Sequence, residues 1–244
     1  MQNRVAIIPG GVKGIGRDIA LSLANAGWSI ALCYRTSEKE AESTCRDIES
    51  KGAQAIALNC DVSNPTAVQD FVELVENRWG RVDALINCAG PYHRVALLEE
   101  TVEGWNEMFD NNLHSLFYLC RAVSTGMIER GYGRIIAFSM ANADKLSAQP
   151  NITAHYIAKS GIIILVRSLA KILAPHGITV NTISPGFIDS GSSPKEELEH
   201  IKRRIPAGYV GQNSDAVSLV NYLLSDNAKY INGSNIQLSG GWGV

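Results

Sequence analysis

Short runs of apolar residues alternate along the chain with longer segments in which apolar residues recur at helical spacing. The strand-like runs occupy residues 5–8, 29–34, 54–58, 84–87, 134–138, 179–183 and 236–238. Strands that alternate with helices build βαβ units, so the pattern predicts a parallel sheet with helices on both faces. No linker or composition break divides the 244 residues. We therefore expect an α/β fold, a single doubly wound, Rossmann-type domain over residues 1–244.

Helices are predicted over 16–26 and 38–51, from Pro65 onward, and near 104–130 and 154–174. Asn64 is suited to cap the helix that Pro65 opens, because its side chain can accept hydrogen bonds from free N–H groups. The two long helices carry apolar residues on more than one face. One buried face needs fewer apolar residues, so part of this surface is expected to meet another subunit.

Charge and cysteine content exclude several classes of protein. The chain has 22 basic and 24 acidic residues and a net charge of −2, with no basic cluster. We therefore expect neither a nucleic-acid nor a membrane partner. The five cysteines are dispersed without metal-ligand spacing. They predict reduced thiols in a cytoplasmic protein and no metal site.

A glycine-rich loop follows the first predicted strand and opens the first helix. Gly10, Gly14 and Gly16 form the pattern G-x-x-x-G-x-G, with Lys13 and Ile15 between them. A pyrophosphate must approach backbone N–H groups at a helix N-terminus, and a Cβ would block that approach or forbid the turn. Because the loop lies between a strand and a helix, it favours a nucleotide site over an ordinary turn.

The end of the second strand carries a cation where a ribose-binding carboxylate would be expected. Arg35 and Thr36 stand there, and Lys13 adds a second positive charge at the same corner. A carboxylate would repel a 2′-phosphate, whereas a cation and hydroxyls attract one. The sequence thus predicts NADP(H) as cofactor in preference to NAD(H).

Later motifs recur in the order seen in the short-chain dehydrogenase/reductase family. They are Asp61-Val62 after the third strand, Asn87-Cys88-Ala89-Gly90 after the fourth, Asn112 within Asp110-Asn111-Asn112-Leu113, and the loop with Pro185, Gly186 and Ile188 after the sixth. With the glycine loop they resemble that family from the first strand to Gly241, and most resemble its 3-oxoacyl-carrier-protein reductases. The resemblance implies adenine contacts at Asp61 and Val62, a proton relay at Asn112, and homodimers or homotetramers. It also implies further cofactor contacts at Asn87, Ala89, Gly90, Lys159, Pro185, Gly186 and Ile188.

The catalytic segment departs from the family pattern. The resemblance implies a serine, a tyrosine and a lysine, with the tyrosine four residues before the lysine on one helix face. Lys159 matches the lysine, but His155 stands four residues earlier and Tyr156 only three. The serine position falls on Met140, with Ser139 one place before it.

Three interpretations of this departure stay open. Tyr156 could still serve as the proton donor if a helical bulge shifts its register. His155 could replace it, although Lys159 would lower the pKa of its ring and favour neutral imidazole, the weaker donor. The third interpretation is a site that binds cofactor but turns over slowly or not at all.

The sequence therefore predicts an NADP(H)-dependent oxidoreductase that transfers a hydride between nicotinamide and a small carbonyl or alcohol. In this hypothesis Lys159 and Asn112 hold the relay, Tyr156 or His155 protonates the oxygen, and Ser139 assists. The alternative is a catalytically impaired dinucleotide-binding protein with a regulatory or scaffolding role. Residues 190–194 are predicted to form a mobile lid over the substrate.

Overall fold

The structure is a computed structural model and describes residues 4–189 and 195–243. Seven strands form one parallel sheet, in the order β3-β2-β1-β4-β5-β6-β9. They are β1 (Val5–Pro9), β2 (Ser29–Tyr34), β3 (Ala55–Asn59), β4 (Ala84–Asn87), β5 (Gly133–Phe138), β6 (Ile178–Pro185) and β9 (Asn235–Leu238). The predicted doubly wound α/β fold is confirmed, and the order reverses between β1 and β4.

Helices cover both faces of the sheet. They are α1 (Gly14–Asn25), α2 (Glu38–Glu49), α3 (Pro65–Trp79), α4 (Val102–Phe109), α5 (Ser115–Arg130), α6 (Thr153–Leu173), α7 (Lys195–Lys202) and α8 (Asn213–Leu224). One core joins the sheet to α3, α5 and α6 through residues such as Val68, Leu116 and Ile162. The second joins it to α1, α2 and α8. Strands buried on both faces explain the continuous apolar runs.

Two local predictions can be compared with the structure. Asn64 caps α3 as expected, because its side chain accepts hydrogen bonds from the N–H groups of Thr66 and Ala67. The helical stretch predicted near 104–130 is present, and within it a π-helical turn at Asp110–His114 joins α4 to α5. This turn shifts the register of the side chains that follow it.

The segment after β6 contains elements that the hydrophobic pattern did not indicate. Strands β7 (Ile188–Asp189) and β8 (Gly211–Gln212) form a separate two-stranded parallel ladder. The lid predicted at 190–194 lies outside the described residues. Within the described part of the chain, no helix combines the length and apolarity that crossing a membrane requires. The single-domain assignment over residues 1–244 stays a prediction.

Candidate active site

A cavity of about 870 Å³ opens at the carboxyl ends of β1 and β4, where the strand order reverses. Ligands bind in this place in open α/β sheets. Thirteen predicted cofactor residues line it: Gly10, Lys13, Ile15, Gly16, Arg35, Thr36, Asp61, Val62, Ala89, Gly90, Pro185, Gly186 and Ile188. Gly14, Asn87 and Lys159 do not, although all three were predicted to bind cofactor.

The glycine loop is shaped mainly by its own close packing. Gly10 has a φ of +75°, and a Cβ there would lie 2.8 Å from the backbone of Cys88 and Ala89. A Cβ on Gly16 would collide with the carbonyl oxygen of Gly10. Gly14 has a φ of +55° and open space around it, so it serves the turn that starts α1. The loop thus brings the N-terminus of α1 to the cavity without side chains in between.

One end of the cavity carries the predicted cationic corner. Lys13, Arg35 and Thr36 are exposed and line the cavity together with Ser37. The Arg35 guanidinium is 3.9 Å from the Glu107 carboxylate, and both side chains are about half exposed, at 53% and 46%. An exposed ion pair of this length contributes little, so Arg35 can turn toward an anionic ligand at small cost.

Asp61 lies next to this corner at the end of β3. Burial opposes its ionisation, but hydrogen bonds from the hydroxyl and N–H of Ser63, together with the charge on Arg35, lower its pKa. The carboxylate is therefore ionised and fixed in orientation at neutral pH. Val62 beside it supplies a buried apolar wall. An ionised acceptor beside an apolar wall can bind the amino group and ring of a purine.

Lys159 lies behind the opposite end of the cavity. Its ammonium donates a hydrogen bond to the Phe138 carbonyl over 3.0 Å, and only 7% of the residue is exposed. Burial lowers the pKa of Lys159 to about 8. A Cβ on Gly90 would lie 3.3 Å from this ammonium, so the glycine is what lets the charge approach the cavity.

Asn112 reaches the same end because of the π-helical turn. Its amide nitrogen donates hydrogen bonds to the carbonyls of Met108, over 2.9 Å, and Pro91, over 3.2 Å. A π turn leaves a carbonyl without its usual helical donor, and this side chain replaces that donor. The amide oxygen of Asn112 is buried without a partner in the described structure. A Cβ on Gly90 would collide with that oxygen, so a Cβ is excluded at this point too.

His155 lies one helical turn before Lys159 on α6 and packs toward the cavity wall. Its ring makes an edge-on contact with Tyr92, with ring centroids 5.1 Å apart and an angle of 88° between the planes. Burial and the Lys159 charge lower the pKa of His155 to about 4, although the nearby Pro91 carbonyl opposes the shift. The ring is therefore neutral at pH 7. Its Nδ1 is buried with no partner among the described residues.

Tyr156 points away from the cavity. Its hydroxyl donates a 2.6 Å hydrogen bond to the Asn142 carbonyl and accepts one from the Ser147 N–H over 3.2 Å. Neighbouring residues on an α-helix point about 100° apart, and α6 has no bulge that would change this. The phenol therefore anchors the loop between β5 and α6. The structure does not bring Tyr156 together with Lys159 and Asn112.

Ser139 is also directed elsewhere. Its hydroxyl donates a 2.8 Å hydrogen bond to the backbone carbonyl of Lys159, and only 4% of the residue is exposed. The bond ties the end of β5 to α6, and Ser139 does not line the cavity. The predicted catalytic role of Ser139 lacks a geometric basis because its hydroxyl is engaged at the strand–helix interface.

Ten cavity residues were not among the predicted cofactor residues. They are Val12, Cys33, Tyr34, Ser37, Cys60, Cys88, Pro91, Tyr92, Asn111 and Phe138. Nearly all stand within two residues of a predicted site residue or strand end, so the carboxyl-edge rule was the available signal. Within the described part of the chain, no group of three histidine, cysteine or acidic residues could hold a metal ion.

The buried unpartnered atoms of Asn112 and His155 fit a ligand that brings hydroxyl groups. A buried acceptor without a donor is costly, and such atoms in a native site call for a ligand or ordered water. At the other end, the Cβ-free loop and the cations fit a phosphorylated group. The two ends of the cavity thus suit the ribose and phosphate parts of a dinucleotide.

A family model described as enoyl-(acyl carrier protein) reductase matches residues 10–243. A 3-oxoacyl-[acyl-carrier-protein] reductase FabG from Staphylococcus epidermidis is 34% identical over 242 residues, which are 98% of each chain. The chain belongs to the short-chain dehydrogenase/reductase family. It is an oxidoreductase that transfers a hydride between a nicotinamide dinucleotide and a carbonyl or alcohol substrate.

Solved structures of the family agree with this assignment. Acetoin dehydrogenase YohF from Salmonella typhimurium is 28% identical, with a TM-score of 0.89 over 98% of this chain and 96% of that one. A variant of actinorhodin polyketide ketoreductase with NADPH is also 28% identical, with a TM-score of 0.90 over 99% and 97%. The alternative of an impaired dinucleotide-binding protein is not favoured.

Proposed function

We propose that this short-chain dehydrogenase/reductase prefers NADP(H) over NAD(H) and acts on small carbonyl or alcohol substrates. The observation that carries the proposal is one continuous cavity with Lys13 and Arg35 at one end and Gly90, backed by Lys159, at the other. A 2′-phosphate beside Arg35 gains charge-assisted hydrogen bonds, which are stronger than neutral ones. NADH lacks that phosphate and would leave Lys13 and Arg35 without an anionic partner on the cofactor.

The chain's own residues hold the proposed cofactor at three points. The N-terminus of α1 binds the pyrophosphate, and Asp61 and Val62 bind the adenine. Lys159 and Asn112 bind the ribose next to the nicotinamide, and Pro185, Gly186 and Ile188 close over it. When bound, the nicotinamide supplies or accepts the hydride.

His155 occupies the helix position that carries the phenol in the family pattern. A neutral imidazole has one N–H donor and one acceptor nitrogen, and Nδ1 of this ring has no partner among the described residues. Such a ring can form one hydrogen bond with a substrate oxygen through that nitrogen. We therefore assign His155 to positioning the substrate oxygen.

The substrate class follows from the relatives together with the open side of the cavity. The similar proteins are named as reductases of 3-oxoacyl groups, an acetoin dehydrogenase and a polyketide ketoreductase. All three names describe interconversion of a ketone and a secondary alcohol. We propose the same chemistry here, with diacetyl and an acetoacetyl thioester as first probes.

The exposed apolar residues of α5 and α6 support a homodimer or homotetramer. Phe117, Ile157 and Ile164 are 46%, 43% and 64% exposed. Burying them between subunits would remove apolar surface from water. The five cysteines are free thiols, which agrees with the proposed cytoplasmic location.

Calorimetric titration tests the cofactor preference. We expect NADPH to bind wild type at least 10-fold more tightly than NADH, since a hydrogen bond to a charged group contributes about 1.5–3 kcal/mol. Arg35→Gln should remove most of that difference in affinity, because it weakens the binding of NADPH and not that of NADH. Arg46→Gln removes a similarly exposed cation from α2, away from the cavity, and is the matched control.

Two outcomes would count against the proposal. Equal affinity for the two cofactors in wild type would refute the preference for NADP(H). If Arg35→Gln and Arg46→Gln weakened NADPH binding to the same extent, the effect would come from the net charge of the protein and not from a contact with Arg35.

A further inference from the structure

The neutral imidazole at position 155 leaves the site without an evident proton donor. Lys159 is turned toward the Phe138 carbonyl and does not line the cavity, and the Tyr156 hydroxyl donates to the Asn142 carbonyl. The His155 ring is neutral at pH 7, and a neutral imidazole is a poor acid. Reduction of a ketone needs one proton at the oxygen for every hydride at the carbon, so another group must supply it.

Tyr92 is the phenol at this end of the cavity. Among the described tyrosines, only Tyr34 and Tyr92 line it, and Tyr34 stands on β2 beside the cationic corner. Tyr92 follows Gly90 and Pro91 directly after β4, at the end where Lys159 and Asn112 converge.

The backbone before Tyr92 is held by Asn112, which lies with Lys159 behind Gly90 at one end of the cavity. We call this end the reacting end. The Pro91 carbonyl accepts a hydrogen bond from the Asn112 amide over 3.2 Å. The Tyr92 ring then packs edge-on against His155, with centroids 5.1 Å apart. The phenol is therefore held against the ring that replaces the tyrosine of the family pattern.

The lengths of the two side chains complement each other. An imidazole is shorter than a phenol, so the ring nitrogens of His155 end short of the place that a tyrosine hydroxyl would reach from the same helix position. Tyr92 lines the cavity in contact with this ring. The residue is 61% exposed, so solvent reaches its side chain.

On the basis of the proposed function, we propose that Tyr92 is the catalytic proton donor and that His155 positions its ring and the substrate oxygen. As the cofactor's hydride forms the new C–H bond, the O–H bond of Tyr92 breaks and its proton passes to the substrate oxygen. The resulting phenolate takes a proton from water. One hydride and one proton are added to the ketone, and the enzyme returns to its starting state.

Replacement of Tyr92 by phenylalanine is the first test. With NADPH and diacetyl, we expect Tyr92→Phe to lower kcat at least 100-fold, within the range for loss of a general acid. Calorimetry should show NADPH affinity unchanged within 2-fold. Tyr222→Phe on α8, also a partly exposed tyrosine, is the matched control and should keep wild-type kcat.

A second measurement separates proton donation from packing. Fluorine substituents make a phenol more acidic, so 3,5-difluorotyrosine at position 92 should move the alkaline limb of the kcat profile to lower pH. The same replacement at position 156 should leave that limb in place.

The possible results are distinguishable. If Tyr92→Phe retains activity, or if the fluorinated residue leaves the limb unmoved, the assignment of Tyr92 is wrong. Parallel loss of kcat and NADPH affinity would assign Tyr92 a packing role, which also overturns the proposal. A wild type that binds NADPH but reduces neither diacetyl nor the acetoacetyl thioester contradicts the proposed function. That result would also contradict the role of Tyr92, which rests on this function.

Discussion

The buried His155 is neutral in the folded protein, so the free energy of unfolding should decrease in acid. A substitution that removes the imidazole should remove this decrease. Burial and the Lys159 charge lower the pKa of His155 from 6.5 to about 4. The unfolded chain therefore binds a proton at this residue between pH 6.5 and 4 that the folded chain does not bind. The free energy of unfolding is thus unaffected by this group above pH 6.5 and decreases as the pH falls toward 4.

The size of the effect follows from that shift. At pH 4 the folded residue is half protonated and the unfolded residue almost fully, so the loss amounts to about 3 kcal/mol relative to pH 7. His155→Asn keeps a small polar side chain and cannot titrate. The stability of wild type minus that of the variant should therefore fall by about 3 kcal/mol over this interval.

Urea unfolding at pH 7, 5.5 and 4 measures that difference. His176→Asn, at an exposed histidine in the turn after α6, controls for the loss of one imidazole as such. A difference between wild type and His155→Asn that stays constant with pH would refute the neutral, desolvated state of the ring. A difference that grows in acid would mean that the folded protein binds the proton more tightly than the unfolded chain.

Three further predictions concern the loop, the displaced phenol and the cationic corner. Gly10→Ala should lower the free energy of unfolding, measured in urea, by about 1–3 kcal/mol, because it adds a Cβ at a φ of +75° against the backbone of Cys88. An unchanged free energy of unfolding would contradict the packing described. Tyr156→Phe should lower the free energy of unfolding by about 1–2 kcal/mol, because it removes the hydrogen bonds of the hydroxyl to the loop, and should keep kcat within 3-fold of wild type. A 100-fold loss of kcat would instead identify Tyr156 as the proton donor. Glu107→Gln should tighten NADPH binding by no more than about 5-fold by freeing Arg35, and leave NADH binding unchanged; weaker NADPH binding would show that the pair orients the guanidinium.

Much of the fold was predictable because its strands are buried on both faces. Continuous apolar runs marked 29–34 and 84–87 to the residue, and Asn64 and Pro65 marked the start of α3. The cofactor residues followed from the rule that ligands bind at the carboxyl edge of the sheet. Local chemistry therefore located the cavity and its cationic corner.

The reacting end was less predictable because its side chains are directed by distant partners. Ser139 is bound to the carbonyl of Lys159, 20 residues away, and Tyr156 to that of Asn142, 14 residues away. Asn112, in the π-helical turn, is bound to the carbonyl of Pro91, 21 residues away. Spacing along one element cannot show such bonds.

Transfer of an isotope label tests most directly whether this chain performs the family's reaction although its helix carries His155 in place of the phenol. NADPH with deuterium at both C4 hydrogens would be mixed with excess enzyme and diacetyl or the acetoacetyl thioester, and the alcohol product analysed by mass spectrometry. We predict one deuterium on the carbinol carbon of the product from at least one probe. Tight binding of the labelled NADPH with no deuterium in either product would contradict the account.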